Sequence, residues 1–315
     1  MGTSTSENSE LEEGLPRVGI LLATYNGATW VDEQIKSIFE QTEVDPRLYV
    51  FDDFSTDETV AKLLAWKNRG HAITVFEKSS ERMGVPAAYY HLIAQEYVEP
   101  FLAFADQDDI WNPNHLSMSV KALGAKKLAI AISPREYINE KSIFLGVSPR
   151  LKRAVGTANA VIENIAYGNT IVMTAELAKQ CSKNLPKFSI MHDSWIYLWS
   201  SVFAEVIRHE NLGVRYRLHG SNQVGVRSGL RLKSALIGAK RFVIQDIEFF
   251  QMFSSSNVPG ISVVKELLDV LSSGNALKRL KYCFSSKCYR QNKIENFMFK
   301  SLIFVAPKLL CKRLK

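Results

Sequence analysis

Four short apolar runs, at 18–23, 48–51, 73–76 and 101–104, alternate with helix-like segments near 31–40, 57–67 and 87–96. Unbroken apolar runs of this length read as strands buried on both faces, and their alternation with helices predicts βαβ units around a parallel sheet. The second run ends at Asp52-Asp53, and the fourth leads into Asp106-Gln107-Asp108-Asp109. Open α/β sheets bind ligands beyond the carboxyl ends of their strands, so both acidic clusters fall at the ligand edge. Carboxylates crowded there repel one another unless a cation or a ligand's donors satisfy them. An Asp-x-Asp in that position points to a divalent metal carrying a phosphorylated ligand. Ser55-Thr56-Asp57-Glu58 fits a capping box for the next helix, with Ser55 as N-cap and Glu58 at the third position. A further short strand is expected over Val214–Leu218, with His219 in the loop after it.

Beyond residue 226 the strand–helix alternation stops. Helices with apolar faces are expected over 231–250 and 264–271, interrupted by the stretch from Ser254 to Gly260. Composition then divides the chain. Its 315 residues, 46% apolar and 23% charged, suit a soluble globular domain of ordinary size plus an appendage. The net charge is +7, yet residues 226–315 hold 17 lysines and arginines against 5 acidic residues, which leaves residues 1–225 at −5. The motifs lie in the acidic part, so the chain does not read as a uniformly basic nucleic-acid binder, and no nucleic-acid partner is expected. From Gly274 onward, 11 basic residues face one acidic residue and interleave with aromatics and leucines. That mixture on amphipathic helices suits either an anionic membrane surface or a helical subdomain packed on the core with a solvated basic face. Four cysteines without zinc spacing read as free thiols of a reducing compartment. The first 16 residues form a polar tail, expected to be disordered, with no secretory apolar segment. No run reaches the ~18 apolar residues of a membrane span.

The turn after the first strand, Ala23-Thr24-Tyr25-Asn26-Gly27, carries neither G-x-G-x-x-G nor a Walker lysine motif, which sets dinucleotide and P-loop readings aside. Taken with Asp-Asp-Phe-Ser-Thr-Asp from residue 52, Asp-Gln-Asp-Asp-Ile-Trp from 106, Met-His-Asp-Ser-Trp from 191 and Tyr-Arg-Leu-His-Gly-Ser-Asn from 216, it resembles glycosyltransferase family two. The last three motifs are most similar to those of bacterial rhamnosyltransferases of surface-polysaccharide assembly. The resemblance covers about residues 17–225. It implies a GT-A fold (a Rossmann-like, mostly parallel sheet flanked by helices) over 17–225, with a basic α-helical extension over 226–315. It also implies an inverting, metal-dependent glycosyltransferase. The donor would be dTDP- or UDP-linked, with dTDP-L-rhamnose leading and UDP-galactose, UDP-glucose or their N-acetyl derivatives open. The acceptor would be a polyprenyl-diphosphate-linked glycan at the cytoplasmic face of the inner membrane. A non-catalytic nucleotide-sugar-binding subunit is the rival reading.

By the same resemblance, Asp53 would accept a hydrogen bond from the base, with Tyr25 against the ring. Thr24 and Asn26 are either polar neighbours of the nucleotide or ordinary turn residues. Asp106 would lie near the ribose and Asp108 on Mg²⁺ or Mn²⁺. His219 is a candidate to complete the metal shell, and Arg217 either pairs with phosphate or is solvated on its strand. Asp109 would contact metal-bound water or support the loop. Asp193 is the candidate general base, its pKa raised by an apolar wall of Trp195, Tyr197 and Trp199 that would receive the acceptor sugar; the alternative is an N-cap of a helix over 194–203. His192 would orient the base or touch the acceptor. Two departures stand out: Ala87 and Ala88 occupy a stretch where polar or basic residues are common, and Phe54 replaces a common glycine.

Overall fold

The computed structural model describes residues 14–76, 81–187, 190–220, 231–305 and 307. The expected disordered tail falls, through residue 13, outside them, as do Ser221, Asn222 and Cys311. The strands among the described residues are β1 (Arg17–Thr24), β2 (Asp45–Asp52), β3 (Ile73–Val75), β4 (Phe101–Asp106), β5 (Ile110–Trp111), β6 (Ala129–Ile132), β7 (Arg135–Asn139), β8 (Phe144–Val147), β9 (Val172–Thr174), β10 (Glu205–Arg208) and β11 (Val214–Leu218). β1 to β4 grow from the four apolar runs and pair in parallel, as expected. They belong to a seven-stranded sheet of order β10-β6-β9-β4-β1-β2-β3, in which β9 runs antiparallel to both neighbours. A smaller sheet, β5-β11-β7-β8, stands beside it.

Burial on both faces follows from the pleat. Val18, Ile20 and Leu22 of β1 point to one side, where Val31, Ile35, Ile38 and Leu63 cover them. Leu21 points to the other, in one cluster with Tyr89, Leu92 and Ile93 of the helix Val85–Ile93. Each such aliphatic side chain contributes roughly 1.5–3 kcal/mol by leaving water. The register then decides the function. Ala23 is paired with Asp106 and Thr24 with Asp52, so three adjacent strands end level and the outer two present their acidic residues on either side of β1.

The capping box is not formed. The helix after β2 is Thr59–Asn68, and Glu58 at its N-cap makes no side-chain capping bond. Ser55 Oγ instead accepts the Asn26 N–H at 2.8 Å, tying the second turn to the first. Asp57 does the local work, accepting from the Thr59 N–H and hydroxyl and, across the gap, from the Ala28 N–H. A tertiary tie between two ligand-edge loops has displaced the local motif. Phe54 adopts φ 71°, so the bulky residue occupies the left-handed conformation that glycine takes without strain.

The basic C-terminal part is built into the core. Helices Arg231–Phe253 and Pro259–Ser272 bury Val243, Phe249, Val264 and Leu267 in the same cluster as Trp195 and Trp199 of the helix His192–Phe203. A methyl group at Gly260 would stand 3.0–3.1 Å from Val202, which is how closely the two helices approach. Helices Ala276–Phe284 and Lys293–Val305 follow, attached through Tyr282, Phe299 and Ile303. Of the two roles expected for this region, packing on the core is observed.

Arg217 is neither solvated nor free for phosphate. It is fully buried on β11. Its Nε donates to the Asp108 carbonyl at 2.8 Å, Nη1 to the Glu140 carbonyl and Ser142 Oγ, and Nη2 to Glu33 at 2.7 Å. The planar fork thus ties the small sheet to the Asp-x-Asp loop and the first helix. Arg217→Met, measured by guanidinium denaturation, is expected to cost roughly 3–5 kcal/mol because it strands several buried acceptors. Arg217→Lys would recover only part, since one ammonium cannot span these partners; a loss under about 1 kcal/mol for the methionine variant would contradict the role.

Candidate active site

The level strand ends open into a cavity of about 1020 Å³ that runs from the β1–β2 turns to the helix Arg231–Phe253. At its first end, Gln107 clamps the main chain of Tyr25: the side-chain Oε1 accepts the Tyr25 N–H and Nε2 donates to the Tyr25 carbonyl, both at 2.9 Å. A methyl group at Gly27 would collide with that amide, so the turn needs glycine for this approach. The Arg82 guanidinium lies 3.8 Å from the centre of the Tyr25 ring. Asn26 sits at φ 45°, and its Oδ1 accepts the Thr56 N–H. Thr24 Oγ1 donates to Asp52 at 2.9 Å. Both residues line the cavity, but their side chains are spent on the turns.

The paired aspartates divide their labour. Asp52 accepts from Thr24 and from the Ser55 N–H, closing the turn. Asp53, also buried, faces the cavity and accepts the Met83 and Gly84 N–H groups at 2.6 and 2.8 Å. It thereby draws the segment carrying Arg82 over this end of the cavity.

Midway, Tyr89 Oη donates to Asp106 at 3.0 Å, and burial together with the Asp108 charge pushes the Asp106 carboxyl up to about 7. Asp108 Oδ2 lies 2.7 Å from His219 Nε2, and the imidazole rests 4.3 Å from Trp30. Asp109 is fully buried, held by Asn169 and by the Arg217 N–H. Of the two roles expected for it, the structure gives loop support. Among the described residues no group of three or more His, Cys, Asp and Glu side chains could enclose a metal. The Asp108–His219 pair nevertheless offers hard oxygen and imidazole donors at the cavity surface. Such a pair suits a hydrated divalent ion that completes its shell with water and a ligand's phosphates.

Asp193 lies opposite, in the first turn of the helix His192–Phe203, whose N-cap is Met191. It is therefore not the helix cap. It accepts the Ser194 N–H at 2.7 Å and the Gly168 N–H at 3.3 Å, and burial raises its pKa above the usual carboxylate range. The expected aromatic wall is not there. Trp195 and Tyr197 are fully buried and Trp199 nearly so; Trp195 donates its indole N–H to the Asn184 carbonyl and packs on Phe249. Helical geometry accounts for Trp195 and Trp199, which stand two and six residues after Asp193 and turn away from its face; Tyr197, four residues on, shares that side but is buried with its hydroxyl donating to Asn159. His192 is buried as well, stacked 4.0 Å from Tyr89, and burial lowers its pKa to about 3, so the ring is neutral. Trp195 supports the site from behind, whereas His192 forms part of the cavity wall.

Several cavity residues carried no sequence signal. Gln107 is the unspecified middle of Asp-x-Asp, Arg135 and Tyr167 lie in unremarkable stretches, and Tyr216 opens a motif in which only Arg217 and His219 were singled out. Arg241, Gln245 and Gln251 reach the far end from a helix whose polar face was read only as charge, and Arg290 joins them.

Comparison with known proteins places this geometry. The sequence profile described as Glycosyl transferase family 2 matches residues 20–195. The dTDP-rhamnosyl transferase RfbG of Shigella flexneri is 25% identical over 239 residues, covering 70% of this chain and 79% of the relative. The UDP-Glc:alpha-D-GlcNAc-diphosphoundecaprenol beta-1,3-glucosyltransferase WfgD of Escherichia coli is 27% identical over 190 residues, covering 60% and 70%. Among solved structures, S. aureus TarS 1-349 with UDP-GlcNAc superposes with a TM-score of 0.59 at 13% identity, covering 91% of each chain. The mannosyltransferase PcManGT from Pyrobaculum calidifontis, with GDP-Man and Mn2+, gives 0.56 at 14% identity, covering 94% and 87%. These likenesses bear out the GT-A fold.

Because Trp195 packs in the core, Trp195→Phe is expected to lower stability by roughly 1–3 kcal/mol while leaving substrate KM values unchanged. Unchanged stability with a raised acceptor KM would restore it to the acceptor wall.

Proposed function

This chain belongs to glycosyl transferase family 2 and is a nucleotide-sugar glycosyltransferase; from that premise we propose an inverting, metal-dependent transfer onto a lipid-linked glycan in surface-polysaccharide synthesis. The observation that carries this reading is the single cavity lined by Asp53, Asp106, the Asp108–His219 pair and Asp193. L-Rhamnose from dTDP-rhamnose is the leading donor, supported by the 25% identity to the Shigella flexneri enzyme. A UDP-hexose is the second reading, supported by the 27% identity to the Escherichia coli glucosyltransferase. That relative's diphosphoundecaprenol acceptor also supports a lipid-linked one here.

In this reading Asp53, Tyr25 and Arg82 hold the base, and Asp106 holds the ribose. Asp108 and His219 would hold Mg²⁺ or Mn²⁺, whose chemistry is to offset charge on the departing diphosphate. Asp193 takes the proton from an acceptor hydroxyl. The freed oxygen bonds to the anomeric carbon from the face opposite the diphosphate, whose C–O electron pair leaves with it. A raised carboxylate pKa brings the base closer to working pH.

Association with a membrane surface belongs to the same proposal. Among the described residues no helix is long and apolar enough to cross a bilayer. Yet Leu277, Phe284, Ile294, Phe297 and Val305 are exposed on the last two helices, Phe284 at 85%. On each helix they lie on the side away from the buried Tyr282 and Phe299, with Lys278, Lys281 and Lys293 on the same two helices. Apolar side chains rimmed by lysine fit the anionic cytoplasmic face of the inner membrane.

Titration with dTDP-rhamnose and a UDP-sugar panel, with and without Mn²⁺, tests the donor; a folded chain that binds none of them refutes the reading. Asp193→Asn is expected to keep donor affinity while transfer falls by about 10²–10⁴-fold. In the wild type, kcat/KM should decline as pH falls through the raised Asp193 pKa, because only the ionised carboxylate accepts a proton; parallel loss of donor binding would make Asp193 structural. For the membrane, Phe284→Ser with Phe297→Ser should reduce sedimentation with phosphatidylglycerol vesicles at least about tenfold. Unchanged sedimentation would place the contact elsewhere.

A further inference from the structure

Arg135, the first residue of β7, reaches the middle of the cavity. Its guanidinium lies 3.6 Å from the ring centre of Tyr167, 4.2 Å from that of Tyr216 and 5.5 Å from that of Tyr137. Among the described residues it forms no ion pair, and its Nε is buried without a hydrogen-bond partner. The two arginines of the neighbouring β11 are otherwise engaged: Arg217 is consumed by the loop, and Arg215 reaches Glu136 and the Ser142 carbonyl. Asp106, Asp108 and Asp193 line the same cavity, and none comes within ion-pair distance of Arg135.

Aromatic faces attract a guanidinium but cannot accept its N–H bonds. A partly buried cation held this way therefore keeps unmet donors, a state that costs free energy until an anion arrives. The rings also fix the plane of the guanidinium, so its donors are aligned beforehand. A planar fork matches two oxygens of a phosphate better than it matches a sugar hydroxyl. Its position matters too, because Arg135 lines the same cavity as Asp106 and Asp193. Those residues flank the point where the sugar must leave its phosphate.

We propose that Arg135 is the protein's own anion clamp for the donor diphosphate, gripping its non-bridging oxygens from the side opposite Asp108 and His219. The assignment rests on the nucleotide-sugar reading of the cavity. When the anomeric C–O bond breaks and its electron pair stays on the diphosphate, the added charge meets a guanidinium already in place. Tyr167 and Tyr216 are its positioning residues.

The test compares binding of dTDP and UDP with that of dTMP and UMP to the full chain without metal, using ligand-observed NMR for the weak pairs. Arg135→Gln is expected to weaken both diphosphates by about tenfold or more while changing the monophosphates by less than about twofold. Arg135→Lys should fall between, as it retains charge without the fork. Thermal unfolding of each variant reports whether the pocket survives. Equal loss for mono- and diphosphates would make Arg135 a structural residue, and unchanged diphosphate affinity would place the clamp elsewhere; either overturns the proposal. Failure of the wild type to bind dTDP or UDP would instead overturn the nucleotide-sugar reading, and the clamp with it.

Discussion

Five carboxylates at the ends of two strands, β2 and β4, on either side of β1 impose the constraint on which the rest of the structure depends. Like charges this close cannot all remain ionised in a low-dielectric edge unless each has its own donors. Asp52 takes Thr24 and the Ser55 N–H, Asp53 takes two N–H groups of the 83–84 segment, Asp106 takes Tyr89, Asp108 faces His219, and Asp109 takes Asn169 and the Arg217 N–H. These bonds come from five separate stretches of chain. The ligand edge is thus also the point where the two sheets and their loops are tied together.

The distribution of donors separates scaffold from chemistry. Asp52 and Asp109 are closed off by main-chain and amide donors and are buried. Asp106, Asp108 and Asp193 stay at the cavity wall, and burial raises Asp106 and Asp193 above the usual carboxylate range. In the proposed reaction a cation and a phosphorylated ligand would together relieve this crowding of carboxylates. The buried guanidinium of Arg217 holds the Asp-x-Asp loop in shape from outside the cavity, through the Asp108 carbonyl, while its other donors reach the Glu140 carbonyl and Glu33.

The last helices extend the same logic. Apolar residues of Arg231–Phe253 and Pro259–Ser272 complete the core behind the helix that carries Asp193, while Arg241, Gln245 and Gln251 face the cavity. One helix therefore buttresses the candidate base and lines the far end of the site. The final two helices bury only one stripe and leave the opposite one apolar and exposed, so the cost of that exposure remains until another surface covers it.

The four apolar runs and the acidic clusters after two of them determined, by themselves, the parallel sheet and its ligand edge. Buried strands and strand-end carboxylates are local patterns that survive whatever packs around them. The places of Asp53 and Asp106 at that edge were legible for the same reason. The tertiary structure decided what depends on direction and distance. It spent Ser55 on Asn26 instead of a helix cap, and it turned Trp195, Tyr197 and Trp199 into the core. It buried Arg217, and it brought Arg135 and the helix Arg231–Phe253 to a cavity whose motifs lie far away in sequence. A side chain's partner across the fold is set by strand register and helix phase acting together, and no single stretch of chain contains both.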